Sequence, residues 1–238
     1  MRIKSTGWTF AFAALVGVFC ITTAAPSRAA ECPVSGADLK KALVKAAEED
    51  TTGLNNNYWG VVVDRSGSIC AVAYSGKKAD SQWLLSRQIA AAKAFTANGL
   101  SLDGAPVATA SLYPWVQGSP SGGNPLFGLA FGNPLDASAI YDGGLGKYGT
   151  DKDPMLGKRL GGTITFGGGL GLYKGTVPVG GLGLSGDTAC ADHSTAWRTR
   201  IKLKLAPAPF ALDFLTFGDV NGHPHCPNDA GTQGVAGD

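Results

Sequence analysis

The sequence predicts an α+β fold built on one antiparallel sheet. Apolar residues recur at helical spacing over 36–50, 80–98 and 188–203, whereas 58–74 reads as a β-hairpin and 160–186 as short strands punctuated by glycine. The resulting order is helix, hairpin, helix, insertion, meander, helix. It lacks the strand–helix alternation that a parallel sheet requires.

Each element has a local reason. Ser35 followed by Asp38 resembles a capping box, and Leu39, Leu43, Ala46 and Ala47 follow as a narrow stripe, so the first helix spans 36–50 and covers one face. Tyr58–Asp64 and Ser68–Tyr74 are rich in Val, Ile and aromatics around Arg65-Ser66-Gly67, a hairpin signature. The second helix, 80–98, carries Leu85, Ile89 and Ala92 with Leu84, Ala91 and Phe95 beside them, and Gly99 is its expected stop. From about 100 to 160 periodicity gives way to prolines and glycines. A structureless loop of that length is unusual in a compact domain, so the stretch reads as an ordered insertion with short helices, anchored by Tyr113, Trp115, Phe127, Phe131, Tyr141 and Tyr148. Thr163–Phe166, Gly171–Tyr173 and Thr176–Leu184 then form an antiparallel meander. Asp187 is the expected cap of the last helix, 188–203, whose face carries Cys190, His193, Trp197 and Ile201. Asp192 early and Arg198, Arg200, Lys202 and Lys204 late suit the helix dipole and read as a solvated helix end. Beyond Pro207 and Pro209 the chain becomes a polar, loose tail.

Composition narrows the function classes. The chain has 35 glycines in 238 residues, about twice the usual ~7%, with no every-third period, so it is not collagenous. Hydrophobic content of 44% with nearly balanced charge is not a disorder profile. Arg2 and Lys4, the apolar run Phe10–Ala25 and Ser27-Arg28-Ala29 read as a signal peptide over 1–29, with 30–238 as one exported domain, periplasmic or extracellular. A membrane anchor needs roughly 20 apolar residues; this run is shorter and meets Pro26, so no membrane span is expected after cleavage. Cleavage removes Arg2, Lys4 and Arg28 and leaves 17 basic against 18 acidic residues. That balance argues against a nucleic-acid partner, which calls for a basic face. Four cysteines remain, Cys32, Cys70, Cys190 and Cys226, and in an oxidising compartment they read as two disulfides with three possible connectivities.

Several motifs are weaker than they look. Gly181-Leu182-Gly183-Leu184-Ser185-Gly186 satisfies G-x-G-x-x-G between a strand and a helix, but Asp187 and Asp192 stand where a pyrophosphate would sit. The plainer reading is that small residues let the strand pass close to a helix or a ligand. Ser185 lacks the G-x-S-x-G context of a hydrolase, no histidine stands in H-E-x-x-H or C-x-x-C-H spacing, and no C-x-x-C pair suggests zinc. No acid–base pair stands out for catalysis. What remains is Cys190 and His193 on one helix face with His223, His225 and Cys226 in the tail, a set able to offer an imidazole to a metal or to haem iron. In the competing reading, Asp192 and His193 merely cap the helix and His223 and His225 face solvent.

Trp59-Gly60-Val61-Val62-Val63-Asp64-Arg65-x-Gly67, Ala92-Lys93-Ala94-x-Thr96-Ala97-Asn98, Gly161-Gly162, and Val179 to Asp187 followed by Asp192 together resemble the GlcG/HbpS-like haem-binding family over roughly 57–99 and 160–203. The resemblance implies a profilin-like fold, an antiparallel sheet of about five strands flanked by helices, and assembly into homo-oligomers. It also implies haem or a related tetrapyrrole as ligand, with some members tied to haem degradation or redox sensing. The insertion and the cysteine-containing tail look like those of an exported subgroup. The family's aspartate in the last helix matches Asp192, and His193 stands beside it where many relatives have a carboxylate. His193 is therefore the leading axial-ligand candidate, with His223 and His225 next; Lys93 on the family's helix pattern is a candidate partner for a propionate. The favoured disulfides are Cys32–Cys70, because the first helix can lie across the hairpin, and Cys190–Cys226, because the tail can return to the last helix. Two alternatives stand beside this reading: a haem-free envelope module that oligomerises, and a haem-degrading or small-molecule oxidoreductase.

Overall fold

The computed structural model describes residues 31–118, 124, 126–129, 134–208, 213–218 and 222–236. The expected leader, and Pro120, Pro125, Phe131, Pro209 and Phe210 of the insertion and tail, lie outside the described residues. Helix α1 spans Gly36–Glu49. The Ser35 hydroxyl accepts from the Asp38 N–H at 3.0 Å and donates to the Asp38 carboxylate at 2.7 Å, so one orphan donor of the first turn is satisfied. Strands β1 (Trp59–Asp64) and β2 (Ile69–Tyr74) form the hairpin. Its turn is closed by the Asp64 carboxylate, which accepts from the Ser66 and Ser68 amides, and Gly67 takes φ +80°.

Helix α2 spans Leu85–Leu100, starting later and ending later than the periodicity predicts. Residues 80–83 lie outside the helix, where Gln82 and the Trp83 indole both donate to the Gly186 carbonyl, at 3.0 and 2.9 Å. Gly99 lies inside the helix, and Ser101 ends it by donating its N–H to the Ala97 carbonyl. Strands β3 (Gly169–Lys174) and β4 (Val177–Ser185) pair antiparallel, and helix α3 spans Ala189–Lys202.

The sheet has four strands in the order β2-β1-β4-β3, every neighbouring pair antiparallel. This corrects the expected five. Thr163–Phe166 is not a strand: its backbone is met by side chains, with the Ile164 N–H donating to Thr96 Oγ1 at 3.0 Å and the Phe166 carbonyl accepting from the Thr109 hydroxyl at 2.7 Å. One sheet face packs Val62, Leu182 and Leu184 against Leu39 and Leu43 of α1 and Cys190 and Ala196 of α3. The other packs Trp59, Val61 and Val63 against Ala90, Ala91 and Ala94 of α2 and Ile140, Met155 and Leu160 of the insertion. Burial on both faces is why β1 is buried at every position instead of alternating.

On its α2 face β4 presents glycines. A Cβ on Gly181 or Gly183 would overlap the Ala94 or Ala90 carbonyl of α2. The G-x-G pattern thus serves close strand–helix approach, as its plainer reading holds. Among the described residues the insertion carries three single-turn 3-10 helices, Ala110–Leu112, Pro114–Val116 and Leu145–Lys147. Its aromatics are not its main anchors: Trp115, Phe127 and Tyr141 are exposed and Tyr113 and Tyr148 half-buried, while the core takes Ile140, Met155 and Leu160. The segment is also held by Asp153, whose carboxylate meets the buried Arg87 guanidinium at 2.5 and 2.8 Å. Disulfides join Cys32 to Cys70 and Cys190 to Cys226, the favoured pairing. No helix among the described residues is long and apolar enough to cross a membrane.

Candidate functional site

The start of α3 brings the sequence candidates together. Its N-cap is Thr188, whose hydroxyl accepts from the Ala191 N–H; Asp187 instead accepts from the Leu54 and Asn56 amides at 2.8 Å and ties down the loop before β1. The charges late in α3 and just beyond it form a solvated end only in part: Lys204 is exposed, but Arg200 is not. Arg200 is fully buried against Asp213, with contacts of 2.5 and 3.0 Å, because the C-terminal segment folds back over the helix. Ile201, expected on the buried face, is exposed.

Lys93 and Asp192 face each other across α2 and α3. The Lys93 ammonium donates to Asp192 Oδ2 at 2.6 Å and to the Leu184 carbonyl at 3.0 Å, and its charge stands 4.9 Å from the Phe166 ring. Burial opposes ionisation of both: it lowers the Lys93 pKa and, against the pull of Lys93, raises that of Asp192 to about 6. A propionate at Lys93 would have to displace Asp192. The pair holds two helices together across β4 and is not an exposed helix lysine.

His193 is fully buried, and neither ring nitrogen makes a hydrogen bond of normal geometry, although the Gly234 backbone lies close against the ring. Trp197 lies 6.0 Å away between ring centroids and is itself 5.4 Å from Phe214. Two glycines allow the ring its place: a Cβ on Gly234 would fall 2.9 Å from Nε2, and one on Gly167 would fall 3.0 Å from the His193 Cβ. Burial drives the His193 pKa down to about 3; Asp213 and the Gly234 backbone work against this, and Arg200 and His223 add to it. The imidazole is therefore neutral, with an unused lone pair inside the protein. That is the state in which histidine binds a metal.

His223, which the competing reading places facing solvent, is 2% exposed. Its Nδ1 sits 2.8 Å from the Pro224 carbonyl and its Nε2 accepts from the Gly167 N–H at 3.2 Å, so the two histidines flank one glycine. Tyr113 tilts against it at 5.3 Å. It also lines a cavity of about 370 Å³ between insertion and tail, with Pro114, Trp115, Asn124, Thr216 and Gly222. This is the small end of ligand cavities, ~300–1,000 Å³. His225 is exposed, stacked on Phe217 at 4.2 Å and paired with Asp229 at 2.9 Å.

The tail is expected to be loose, yet its described residues cover α3. Leu215 pairs with Val235 and Phe217 with His223 in short parallel bridges, and the Cys190–Cys226 disulfide holds the segment to the helix. Sequence reasoning misses Gly167, Gly234, Arg200 and Asp213 around His193. Only the glycine excess hinted at the first two.

A model of the family described as haem-degrading protein HbpS-like matches residues 36–199. No curated protein matches the sequence. Among solved structures, a PduOC:haem complex is 23% identical over 70% of this chain and 89% of its own, with a TM-score of 0.46. The Klebsiella pneumoniae protein ORFY is 22% identical over 76% and 97%, TM-score 0.48. A double mutant of Streptomyces reticuli HbpS is 18% identical over 75% and 96%, TM-score 0.41.

Proposed function

This chain belongs to the HbpS-like family, and on that premise we propose that it is an exported haem-binding protein in which His193 is the axial ligand. One observation carries the proposal: His193 is an enclosed neutral imidazole with an unused lone pair, and His223, across Gly167 from it, lines a cavity rimmed by aromatic and polar side chains. An orphaned polar group costs stability, which a bound metal would restore.

His193 would hold the iron, with His223 the second candidate and His225 an exposed third. Bound haem supplies a redox-active iron whose behaviour depends on its axial ligand and the polarity around it. Trp197 and Phe214 limit water at the ring, while Lys93 and Asp192 fix α2 against α3 and so position His193. Gly234 lies close against Nε2, so a group bound at that nitrogen would have to displace it. The test is a titration of the mature chain with hemin and with metal-free protoporphyrin. Iron ligation predicts saturable hemin binding, with protoporphyrin at least about tenfold weaker; equal affinities would remove the axial ligand.

A second reading, a haem-free envelope module, has one observation in its favour. Trp83, Leu84, Leu85 and Tyr141 are exposed together, the Tyr141 hydroxyl donating to the Leu84 carbonyl, and such a patch suits a homo-oligomer interface. Size-exclusion chromatography with and without hemin separates the readings. The module assembles identically in both.

A further inference from the structure

Cys190 on the first turn of α3, Cys226 in the tail and His223 form a second cluster of donors. One ligand atom from each lies within 4.8 Å of the other two; Cys190 and His223 are buried and Cys226 is half-buried. The Pro224 carbonyl marks their common centre, 3.8 and 4.0 Å from the two sulfurs and 2.8 Å from His223 Nδ1. His223 and Cys226 are separated by two residues, a spacing short enough for one loop to place both on a single ion. Cys190 contributes from a different element, which is why no compact cysteine motif announces the set.

We propose that reduction of the Cys190–Cys226 disulfide converts this cluster into a Cys2His site for zinc or a similar thiophilic divalent cation. A dithiol reductant delivers two electrons and two protons: the S–S bond breaks to leave two thiols, and the reductant closes to its own disulfide. The arriving dication displaces two thiol protons and gathers two thiolates and the neutral His223 imidazole, whose ring gives up its contact with the Gly167 N–H or the Pro224 carbonyl to free a lone pair. Tetrahedral zinc with sulfur at ~2.3 Å sets the two sulfurs about 3.8 Å apart, so the bonded pair must separate on reduction, while His223 already lies within 4.8 Å of both. Disulfide and metal exclude each other, because the bonded sulfurs offer no thiolate. The cation would thus hold the tail to α3 under reducing conditions, as the disulfide does under oxidising ones. This assignment does not depend on haem binding.

The experiment reduces the full mature chain and titrates it anaerobically with Co²⁺ and then Zn²⁺. Expected are one cobalt per chain with a thiolate-to-cobalt charge-transfer band, displacement by zinc, and no band in the oxidised chain. Cys226→Ser abolishes the band and His223→Ala weakens binding at least about tenfold, whereas Cys32→Ser leaves it intact. Should the variants fail to fold, alkylation of the reduced wild type decides: zinc must protect Cys190 and Cys226 and leave Cys32 and Cys70 reactive. A reduced chain without the band, a band surviving Cys226→Ser, or equal alkylation of all four cysteines with zinc present overturns the assignment.

Discussion

His193 titrates in a way that exposes its surroundings. Its folded-state pKa of about 3 lies below the unfolded value of 6.5, so the unfolded chain binds the extra proton first. The stability it contributes is present above pH 6.5 and is lost as pH falls toward 3, at up to ~1.4 kcal/mol per pH unit. His223 is depressed in the same direction by its burial. A series of urea midpoints from pH 7 to pH 4 should therefore fall less steeply in His193→Phe than in wild type. Parallel slopes would mean that position 193 is not a buried neutral imidazole. The Lys93–Asp192 pair makes a different point, since two desolvated charges add little net stability while fixing how α2 meets α3. Its partners stand 99 positions apart, so no local pattern could join them. Arg87–Asp153 and Arg200–Asp213 were hidden for the same reason.

The elements were legible wherever a local rule decided them. Ser35 with Asp38 starts α1 as its spacing predicts, and the hairpin turns where Arg65-Ser66-Gly67 stands. The fifth strand failed because Thr96 and Thr109 satisfy the backbone of Thr163–Phe166, an option that β propensity does not register. Glycine gives the sharpest contrast. Gly183 lets β4 lie against the α2 backbone, whereas Gly99 faces open space inside α2. Gly183→Ala should destabilise by about 3 kcal/mol or more through forced separation of strand and helix. Gly99→Ala should stabilise by about 0.5–1 kcal/mol through helix propensity. Thermal or urea unfolding of the two variants checks both signs, and equal effects would contradict this packing.

For the molecule as a whole, two disulfides clamp opposite ends of the described chain: Cys32 leads into α1, and Cys226 returns the tail to α3. The sheet and α2 build a frame against which the tail encloses His193 and His223, leaving His225 exposed. Family membership says which ligand to try, and His193 says where to look for its attachment. The most direct measurement is a Soret titration of the mature chain with hemin, wild type beside His193→Ala. Saturable binding in wild type that weakens on the order of tenfold or more in the variant, with an altered Soret position, is the predicted result. A wild-type chain without a saturable shift, or a variant with the same shift and affinity, would contradict it.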